Sequence, residues 1–188
     1  QQVGYQVVHL TPSQVLLNDL SAYDAIVTGV RFFNVNEEAK NIYSKLMDYV
    51  KNGGVLLEQY NVNNGLKSST FGPYPFRLVN KRVTEEDAAI TFTKPTHAAL
   101  NYPNKITSKD FEGWVQERGL YFAEDIDPKY ETVLRMSDTG EAASDGSLLI
   151  ADYGKGKFVY TSLSFFRQLP AGVSGAYRLF ANLLAKPL

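Results

Sequence analysis

The chain has 188 residues, 44% of them hydrophobic and 13% aromatic, which is enough for one domain with a sizeable core. Its 19 basic residues nearly balance 20 acidic ones, so net charge provides no general attraction for nucleic acid or an anionic membrane. Cysteine is absent, which excludes disulfides, thiolate metal ligands and cysteine nucleophiles. No apolar run reaches the ~20 residues of a membrane-spanning helix, and the start lacks the character of a signal peptide. We therefore expect one domain over residues 1–188, excised from a longer protein.

The first part of the chain predicts two short strands. Val3 to Leu10 is β-branched and aromatic, which predicts a first strand, and Thr11 or Ser13 is expected to cap a short helix after it. Ala25 to Val30 is a short continuous apolar run. That pattern is typical of a strand covered on both faces in a parallel sheet.

The strongest local pattern is a long helix that ends at two glycines and leads into a buried strand. Asn36 is the predicted cap, Glu37 and Glu38 lie in the first turn, and apolar residues then recur at helical spacing. Gly53 is the expected left-handed residue after the helix, and Val55 to Tyr60 is a third strand. Two parallel strands joined by a helix make a crossover unit, and we expect the same unit between the first and second strands.

The second half of the chain predicts short strands, a hairpin and a C-terminal helix. Residues 61–75 form a loop rich in turn formers, of a length often associated with function. A brief helical turn is expected from Ala98 to Leu100, and a helix is expected to contain Tyr177 to Leu184. Two of the strands are predicted to form an antiparallel hairpin around Gly154 to Gly156. The predicted strands are Phe76 to Val79, Ala88 to Phe92, the second half of Asp110 to Phe122, Thr132 to Met136, and the hairpin strands Ser147 to Tyr153 and Lys157 to Leu163.

Polar side chains follow several of the predicted strands. In open parallel sheets ligands bind outside the carboxyl ends of the strands, and this rule predicts one shared edge. Its arginines present planar forks that suit carboxylate or phosphate, and its amides both donate and accept, so the edge is predicted to hold a sugar or an anion. The alternative is that the arginines bond carbonyls and pair with neighbouring acids to order the loops. The edge comprises His9, Thr11, Arg31, Gln59, Asn61, Ser162, Ser164 and Arg167.

Aromatic side chains are a second set of candidates for ligand binding. They offer stacking faces for a sugar ring, and polar residues of the same stretch offer hydrogen bonds to it. The alternative for each ring is core packing. The rings are Trp114, Tyr121, Phe122, Phe165 and Phe166, and the polar residues are Glu112, Gln116, Glu117 and Arg118.

No catalytic residue, metal site or cofactor is predicted. The two imidazoles, His9 and His97, stand in no nucleophile-elbow motif and in no transition-metal motif. His97 precedes a short helical turn, where a capping or surface role is expected. Two acidic turns lack the spacing of a calcium-binding EF-hand and are expected to be solvated. Those turns hold Asp125, Asp127 and Glu131 in the first and Asp138, Glu141 and Asp145 in the second.

Long stretches of the chain carry a family resemblance. They are Tyr23 to Asn34, Leu46 to Asn61, Gly72 to Phe76, Arg82 to Ile90, Asp110 to Phe122 and Tyr160 to Leu184. Together they resemble the class I glutamine amidotransferase-like domain that ends large bacterial proteins of the PIG-L (LmbE-like) deacetylase family, a domain related also to ThuA-like domains. The resemblance implies an α/β, flavodoxin-like three-layer sandwich with a mostly parallel sheet. It also implies an N-terminal zinc-dependent N-acetyl-sugar deacetylase domain as a partner in the same polypeptide.

The chain departs from true amidotransferases at one decisive corner. Their nucleophilic cysteine falls after the third strand, where this chain has Gln59, Tyr60 and Asn61. Amide and phenol groups hydrogen-bond well and attack poorly, so glutaminase activity is not expected. The deacetylase family's metal-binding motifs have no counterpart in this chain either. Without a nucleophile, the corner indicates recognition or support.

These observations predict a non-catalytic accessory domain of a carbohydrate-processing protein, which binds glycan or packs against the catalytic domain. The ligand-binding candidates are Arg31, Gln59, Asn61, Trp114, Glu117, Arg118 and Arg167. One alternative is a ThuA-like enzyme that acts on a sugar without a cysteine, and a pocket with a carboxylate close to a histidine would favour it. A third is an interface module, indicated by large exposed aromatic patches. No compartment follows from the sequence, with a periplasmic or secreted setting preferred.

Overall fold

The α-helices lie near the two ends of the chain and most of the short strands lie between them, and the computed structural model describes residues 3–186. The helices are α1 (Pro12–Leu17), α2 (Phe32–Val35), α3 (Ala39–Lys51), α4 (Phe165–Gln168) and α5 (Ser174–Leu184), with single 3-10 turns at Leu20–Ala22, Ala98–Leu100 and Ser108–Phe111. The strands are β1 (Ala25–Thr28), β2 (Val55–Gln59), β3 (Arg77–Leu78), β4 (Arg82–Val83), β5 (Ile90–Phe92), β6 (Gly119–Leu120), β7 (Ala123–Glu124), β8 (Glu131–Thr132), β9 (Leu134–Met136), β10 (Leu148–Tyr153) and β11 (Gly156–Thr161).

The predicted helix, glycine pair and strand are confirmed as α3 and β2. The helix begins two residues later than expected, because Asn36 accepts the backbone N–H of Glu38 at 3.0 Å and forms a turn ahead of the helix. Gly53 has φ +114°, which a residue with a side chain rarely adopts. Gly54 is needed for a different reason, because a Cβ there would lie 2.2 Å from the Tyr49 ring. The two glycines therefore turn the chain and let the strand pass directly beneath the helix.

Five strands form one mixed sheet in the order β1-β2-β11-β10-β8. β1, β2 and β11 run parallel, whereas β10 is antiparallel to both of its neighbours, β11 and β8. The predicted hairpin is confirmed, with Leu148 opposite Thr161 and Tyr153 opposite Gly156. Because the three parallel strands share a direction, the chain leaves β1, β2 and β11 at the same edge of the sheet.

The α/β class is correct, but the expected flavodoxin-like three-layer sandwich with a mostly parallel sheet is wrong. Two of the four pairings in the main sheet are antiparallel. Three two-stranded antiparallel ladders, β3 with β7, β4 with β6 and β5 with β9, stand beside it. The predicted crossover unit occurs between β1 and β2, and its expected earlier copy is absent from the part of the chain that is described. Most of the middle of the chain builds ladders and loops where a flavodoxin-like fold would repeat helix and strand.

The first predicted strand, Val3 to Leu10, is wrong, because these residues pair with no strand within residues 3–186. Four apolar side chains of the segment are 43–56% exposed. A β-prone sequence forms a strand only where a neighbouring strand and a buried face receive it. The predicted cap after it is confirmed, since the Thr11 side chain accepts the backbone N–H of Gln14 and the Gln14 side chain accepts that of Thr11.

Removing the segment ahead of Leu10 is expected to change the free energy of unfolding by less than about 0.5 kcal/mol, the usual range for changes outside packed regions. Residues 3–9 are exposed, and no backbone hydrogen bond joins them to the rest of the described chain. Urea unfolding of the chain with and without this segment measures the difference. A decrease of more than about 1.5 kcal/mol in the free energy of unfolding would contradict the prediction, because changes at unpacked surface segments are usually smaller. It would show that the segment packs against the rest of the fold.

Each face of the main sheet is covered by one long helix. On one face Ile42 and Leu46 of α3 pack into a core that contains Leu56, and on the other Leu179 and Leu183 of α5 pack into a core with its neighbour Leu57. Adjacent residues of β2 therefore point into opposite cores, as strand geometry requires. Strand β2 is buried on both sides, which explains its run of apolar residues.

Candidate functional site

The corner after β2 is held by internal hydrogen bonds. Asn61 is fully buried, and its Oδ1 accepts the backbone N–H of Phe33 at 2.9 Å. Its own N–H donates to the Tyr160 hydroxyl at 3.0 Å. Gln59 is half-buried and donates through Nε2 to the carbonyl of Thr28 at 3.1 Å. Asn61 and Gln59, both predicted to bind a ligand, thus tie the ends of the parallel strands together.

The predicted serines of the edge have the same structural role. The Ser162 hydroxyl donates to the carbonyl of Tyr121 at 2.9 Å, and the Ser164 hydroxyl donates to that of Glu117 at 2.6 Å. Both serines are fully buried. Of the two N-terminal members of the predicted edge, Thr11 caps α1 and His9 lies in the exposed leading segment. This part of the prediction therefore corresponds to its alternative, the ordering of loops.

Aromatic side chains fill the corner after β2. The Tyr60 ring lies nearly parallel to that of Tyr121, with 6.2 Å between centroids, and 5.2 Å from that of Phe166. The guanidinium of Arg167 lies 4.9 Å from the centroid of the Phe166 ring. The corner is a packed aromatic surface with cations at its margin.

Charged side chains surround this aromatic surface. Glu117 is buried, and its carboxylate accepts from Nε of Arg167 at 2.8 Å and lies 3.9 Å from Nη2 of Arg82. Arg31 is exposed, and its backbone N–H donates to the carbonyl of Tyr60 at 2.7 Å. Arg31, Glu117 and Arg167, predicted from three distant parts of the chain, thus lie around Tyr60.

The other two predicted residues, Trp114 and Arg118, line a separate cavity of about 450 Å³. Its wall is built from the 86–90 segment on one side and from residues 108–118 on the other. Phe111 and Trp114 stack with centroids 5.3 Å apart, and both are buried. The cavity is lined by Glu86, Asp87, Ala88, Ala89, Ile90, Ser108, Phe111, Glu112, Gly113, Trp114 and Arg118.

Arg118 is a buried cation on the wall of this cavity and forms no ion pair within residues 3–186. Its Nε and Nη2 donate to the carbonyl of Ala88 at 3.1 and 2.9 Å, and its Nη1 donates to the carbonyl of Phe111. A guanidinium has five N–H groups, so two remain without a protein acceptor in the described chain. Burial lowers the pKa of Arg118, and the carboxylates of Asp87 and Glu86 act in the opposite direction. The side chain nevertheless stays charged, because its ordinary pKa is so high.

The mouth of the cavity carries acceptors to complement these donors. Glu86, Asp87 and Glu112 are exposed carboxylates, and one oxygen of Glu86 also accepts the backbone N–H of Gln116 at 2.6 Å. Ionised carboxylates only accept hydrogen bonds, whereas the guanidinium only donates them. The cavity therefore offers both kinds of partner beside an apolar wall, and sequence reasoning missed its 86–90 half because that half lies far from Trp114 along the chain.

The predicted cap at His97 is confirmed, since its Nδ1 accepts the backbone N–H of Ala99 at 3.0 Å. Its Nε2 lies 3.7 Å from Glu131, and burial lowers the pKa of the imidazole. No group of three His, Cys, Asp or Glu side chains within residues 3–186 is placed to hold a metal ion. Over the same range, no helix is long and apolar enough to cross a membrane.

The sequence matches no protein-family model and no curated protein sequence. Its fold is similar to that of the cytoplasmic protein STM3548 from Salmonella typhimurium, with a TM-score of 0.61 and 16% identity over 97% of this chain and 81% of that one. STM1381 from Salmonella typhimurium LT2 has the same TM-score, with 15% identity over 97% and 82%. A β-galactosidase from Rahnella sp. R3 matches with a TM-score of 0.53 and 14% identity over 92% of this chain but only 24% of its own. The fold of the chain is therefore similar to that of most of two proteins and to that of one part of a larger protein.

Proposed function

We propose that this chain is a non-catalytic domain that binds carbohydrate in the cavity beside Arg118. The observation that carries the proposal is the arrangement of the cavity's hydrogen-bonding groups. A buried guanidinium with two unused N–H groups lines the same cavity as three carboxylates and the rings of Phe111 and Trp114.

The chemistry of this lining suits a saccharide. Each sugar hydroxyl both donates and accepts a hydrogen bond, so a ring of hydroxyls needs donors and acceptors on the same wall. Arg118 supplies the donors, and Glu86, Asp87 and Glu112 supply the acceptors. The C–H faces of a sugar ring are apolar and match the lining of a concave, mostly apolar pocket. A ligand that only donates or only accepts would leave one of these sets unpaired.

The corner after β2 supports a non-catalytic role. Nucleophilic catalysis needs an attacking atom with a base in reach, and this corner presents Gln59, Tyr60 and Asn61, of which Tyr60 is packed against Phe166. A ThuA-like enzyme was expected to place a carboxylate close to a histidine in a pocket there. The carboxylate of this corner, Glu117, pairs with Arg167 and Arg82. We therefore favour recognition over the enzymatic alternative.

We also propose that the domain serves a carbohydrate-processing protein, as the resemblance to PIG-L-associated modules predicts. The partner would be an N-terminal deacetylase domain of the same polypeptide, and the full-length coding sequence tests this directly. The likeness to part of a β-galactosidase concerns the fold alone. The binding proposal accordingly rests on the cavity and not on any relative.

Isothermal titration against a panel of neutral sugars, amino sugars and cell-wall fragments tests the binding proposal. We expect one saccharide class to bind with a Kd of about 1 mM or lower, which corresponds to a binding free energy of about 4 kcal/mol or more in favour of the complex. Glu112→Gln should weaken that binding about tenfold, because losing a charge-assisted hydrogen bond costs on the order of 1.5 kcal/mol.

Glu37→Gln is the matched control, because it makes the same chemical change at an exposed carboxylate that pairs with Lys67 outside the cavity. It should leave the affinity unchanged. A panel in which no saccharide binds would refute glycan recognition and leave only the supporting role. Equal loss of affinity in both variants would show that the cavity is not the binding site.

A further inference from the structure

We propose that Arg31 and Arg167, together with the hydroxyl of Tyr60, form a second site that binds one oxyanion group, a carboxylate or a phosphate. This site lies at the carboxyl ends of the parallel strands and is distinct from the cavity of the proposed function. It is called the strand-end site below.

A backbone hydrogen bond and an aromatic contact place the two arginines near Tyr60. The N–H of Arg31 donates to the carbonyl of Tyr60 at 2.7 Å, so the two residues are direct neighbours across the strand ends. The Tyr60 ring contacts Phe166, and the guanidinium of Arg167 lies 4.9 Å from the centroid of the Phe166 ring. The Tyr60 hydroxyl forms no hydrogen bond with another described residue. Arg31 and Arg167 are therefore both neighbours of Tyr60, one through the backbone and the other through the Phe166 ring.

The charge of the strand-end site is uncompensated. Arg82 and Arg167 share one carboxylate, that of Glu117, and Arg31 adds a third positive charge near Tyr60. The two ion pairs of Glu117 are made by Arg82 and Arg167, whereas Arg31 has no acidic partner within residues 3–186. Arg167 uses Nε for Glu117, so its Nη groups stay free for a ligand. The strand-end site attracts an anion, and nothing in the described chain neutralises it.

The backbone around the strand-end site is held in an unusual conformation. Four residues other than glycine have positive φ in the described chain, and three of them lie here, Arg31 at +59°, Gln116 at +68° and Tyr121 at +56°. Such residues persist only where the surroundings determine them, and they cluster at ligand sites. Gln116 precedes Glu117, and Tyr121 stacks on Tyr60. Of these three residues, Arg31 is itself a proposed ligand contact, and the other two adjoin Glu117 and Tyr60.

Electrostatics at Tyr60 agree with this geometry. Burial raises the pKa of its phenol, and Arg31 and Arg167 both oppose that rise. Both guanidiniums are therefore within electrostatic range of the hydroxyl. A phenol that keeps its proton at neutral pH is available as a donor to an anion.

The donor pattern decides the class of ligand. Arg31, Arg167 and Tyr60 offer N–H and O–H groups, and the one acceptor carboxylate is already paired with two arginines. A site made of donors selects a group that only accepts, and oxyanions are such groups. The cavity differs because it combines donors with carboxylate acceptors. The two sites should thus discriminate between an anionic and a neutral polar ligand.

Titration with sodium phosphate, D-glucuronate and D-glucose, at constant ionic strength and followed by two-dimensional NMR of the whole chain, tests the proposal. We expect phosphate, glucuronate or both to shift the resonances of Arg31, Tyr60 and Arg167, with glucose leaving these unchanged. Arg31→Asn should weaken the binding at least fivefold, because it removes one charge-assisted partner. Asn tolerates the left-handed backbone of position 31, so this variant should fold normally.

Lys155→Gln is the control, because it removes one positive charge from the hairpin turn at the opposite ends of the strands. It should leave oxyanion binding unchanged. If no oxyanion binds at the strand-end site, or if Arg31→Asn and Lys155→Gln weaken binding equally, the proposal is overturned. Binding of phosphate alone would assign the site to phosphorylated ligands, and binding of glucuronate alone would assign it to acidic sugars. Neither result depends on the cavity, which Glu112→Gln tests separately.

Discussion

Replacing Glu58 by methionine is expected to raise the free energy of unfolding at pH 7 by about 1–3 kcal/mol, the cost of a buried polar group without a partner. Glu58 lies in β2 and is fully buried, and neither of its carboxyl oxygens has a hydrogen-bond partner in the described chain. Its neighbour in register on β1, Thr28, has an unpartnered buried hydroxyl as well. An apolar side chain of similar length fills the same space without the desolvation cost.

The surroundings explain why this carboxyl has no partner. Three tyrosines lie within electrostatic range of Glu58, but each uses its hydroxyl elsewhere. Tyr43 donates to the carbonyl of Gly72, Tyr130 donates to that of Tyr74, and the Tyr160 hydroxyl accepts the N–H of Asn61. The carboxyl therefore stays in an apolar setting, and this burial raises its pKa well above the ordinary value.

The raised pKa of Glu58 makes stability depend on pH with a definite sign. Above its ordinary pKa of about 4.3 the unfolded chain has released this proton, whereas the folded chain retains it. The unfolded state then binds fewer protons, so the free energy of unfolding falls as pH rises from that value toward the folded pKa. The stabilising contribution is fully present only below pH ~4.

Glu58→Gln isolates the titration, because glutamine has the same shape and no proton to lose. Urea unfolding between pH 4 and pH 8 should show that Glu58→Gln gains stability relative to the natural chain as pH rises. Glu141→Gln, which removes an exposed carboxylate, is the control and should show a constant difference. If the curves of Glu58→Gln and the natural chain stay parallel over this range, Glu58 does not hold a proton in the folded state.

Gly175→Ala is expected to destabilise the fold by about 2–3 kcal/mol and to abolish binding in the cavity. A Cβ at position 175 would lie 2.0 Å from the carbonyl oxygen of Asp110 and 2.3 Å from its Cα. Backbone atoms cannot rotate away as a flexible side chain can, so α5 and the Ser108–Phe111 turn would have to separate. This loss of stability exceeds the stabilisation of about 0.5–1 kcal/mol that replacing glycine by alanine normally gives inside a helix.

The same contact supports the cavity, which is why binding should fail as well. The carbonyl of Asp110 accepts from Nε1 of Trp114 at 3.0 Å, and the next residue, Phe111, accepts from Arg118. Moving Asp110 would displace both rings and the guanidinium. Thermal unfolding measures the stability, and saccharide titration measures the cavity.

Gly29→Ala is the control, since a Cβ there meets no atom within 4 Å and its φ lies outside the left-handed region. It should leave saccharide binding intact and the stability nearly unchanged. If Gly175→Ala is as stable as the control, the close packing of α5 against the Ser108–Phe111 turn is refuted. If it is destabilised yet still binds the saccharide at low temperature, the ligand does not depend on this side of the cavity.

Several elements could be predicted from residue type and spacing within a short stretch of the sequence. The helix α3, the glycines after it, strand β2 and the hairpin of β10 and β11 follow from periodicity and turn residues within about 20 positions. The cap at His97 follows in the same way. Each of these depends on neighbours along the chain, so residue type and spacing determine it.

The other parts of the fold and of the candidate sites depend on contacts between residues that are distant in sequence. Val3 to Leu10 has the composition of a strand but no neighbour to pair with in the described chain, and β10 and β8 make half of the main sheet antiparallel. The amide and hydroxyl side chains predicted at the strand ends bond to backbone groups 28 to 47 positions away, which no local pattern indicates. The wall of the cavity, similarly, joins two segments that are distant in sequence.

By itself the sequence determined that this is an α/β chain without a cysteine nucleophile, with a buried third strand that ends in Gln59, Tyr60 and Asn61. Only the tertiary structure decided which polar side chains are free. It buried Asn61 and Glu58, left Arg31 unpaired, and directed Arg118 to a cavity apart from Glu117. The physical reason is that polar side chains form hydrogen bonds and ion pairs with the groups that the fold places next to them. Only side chains left without such a partner remain available to bind a ligand.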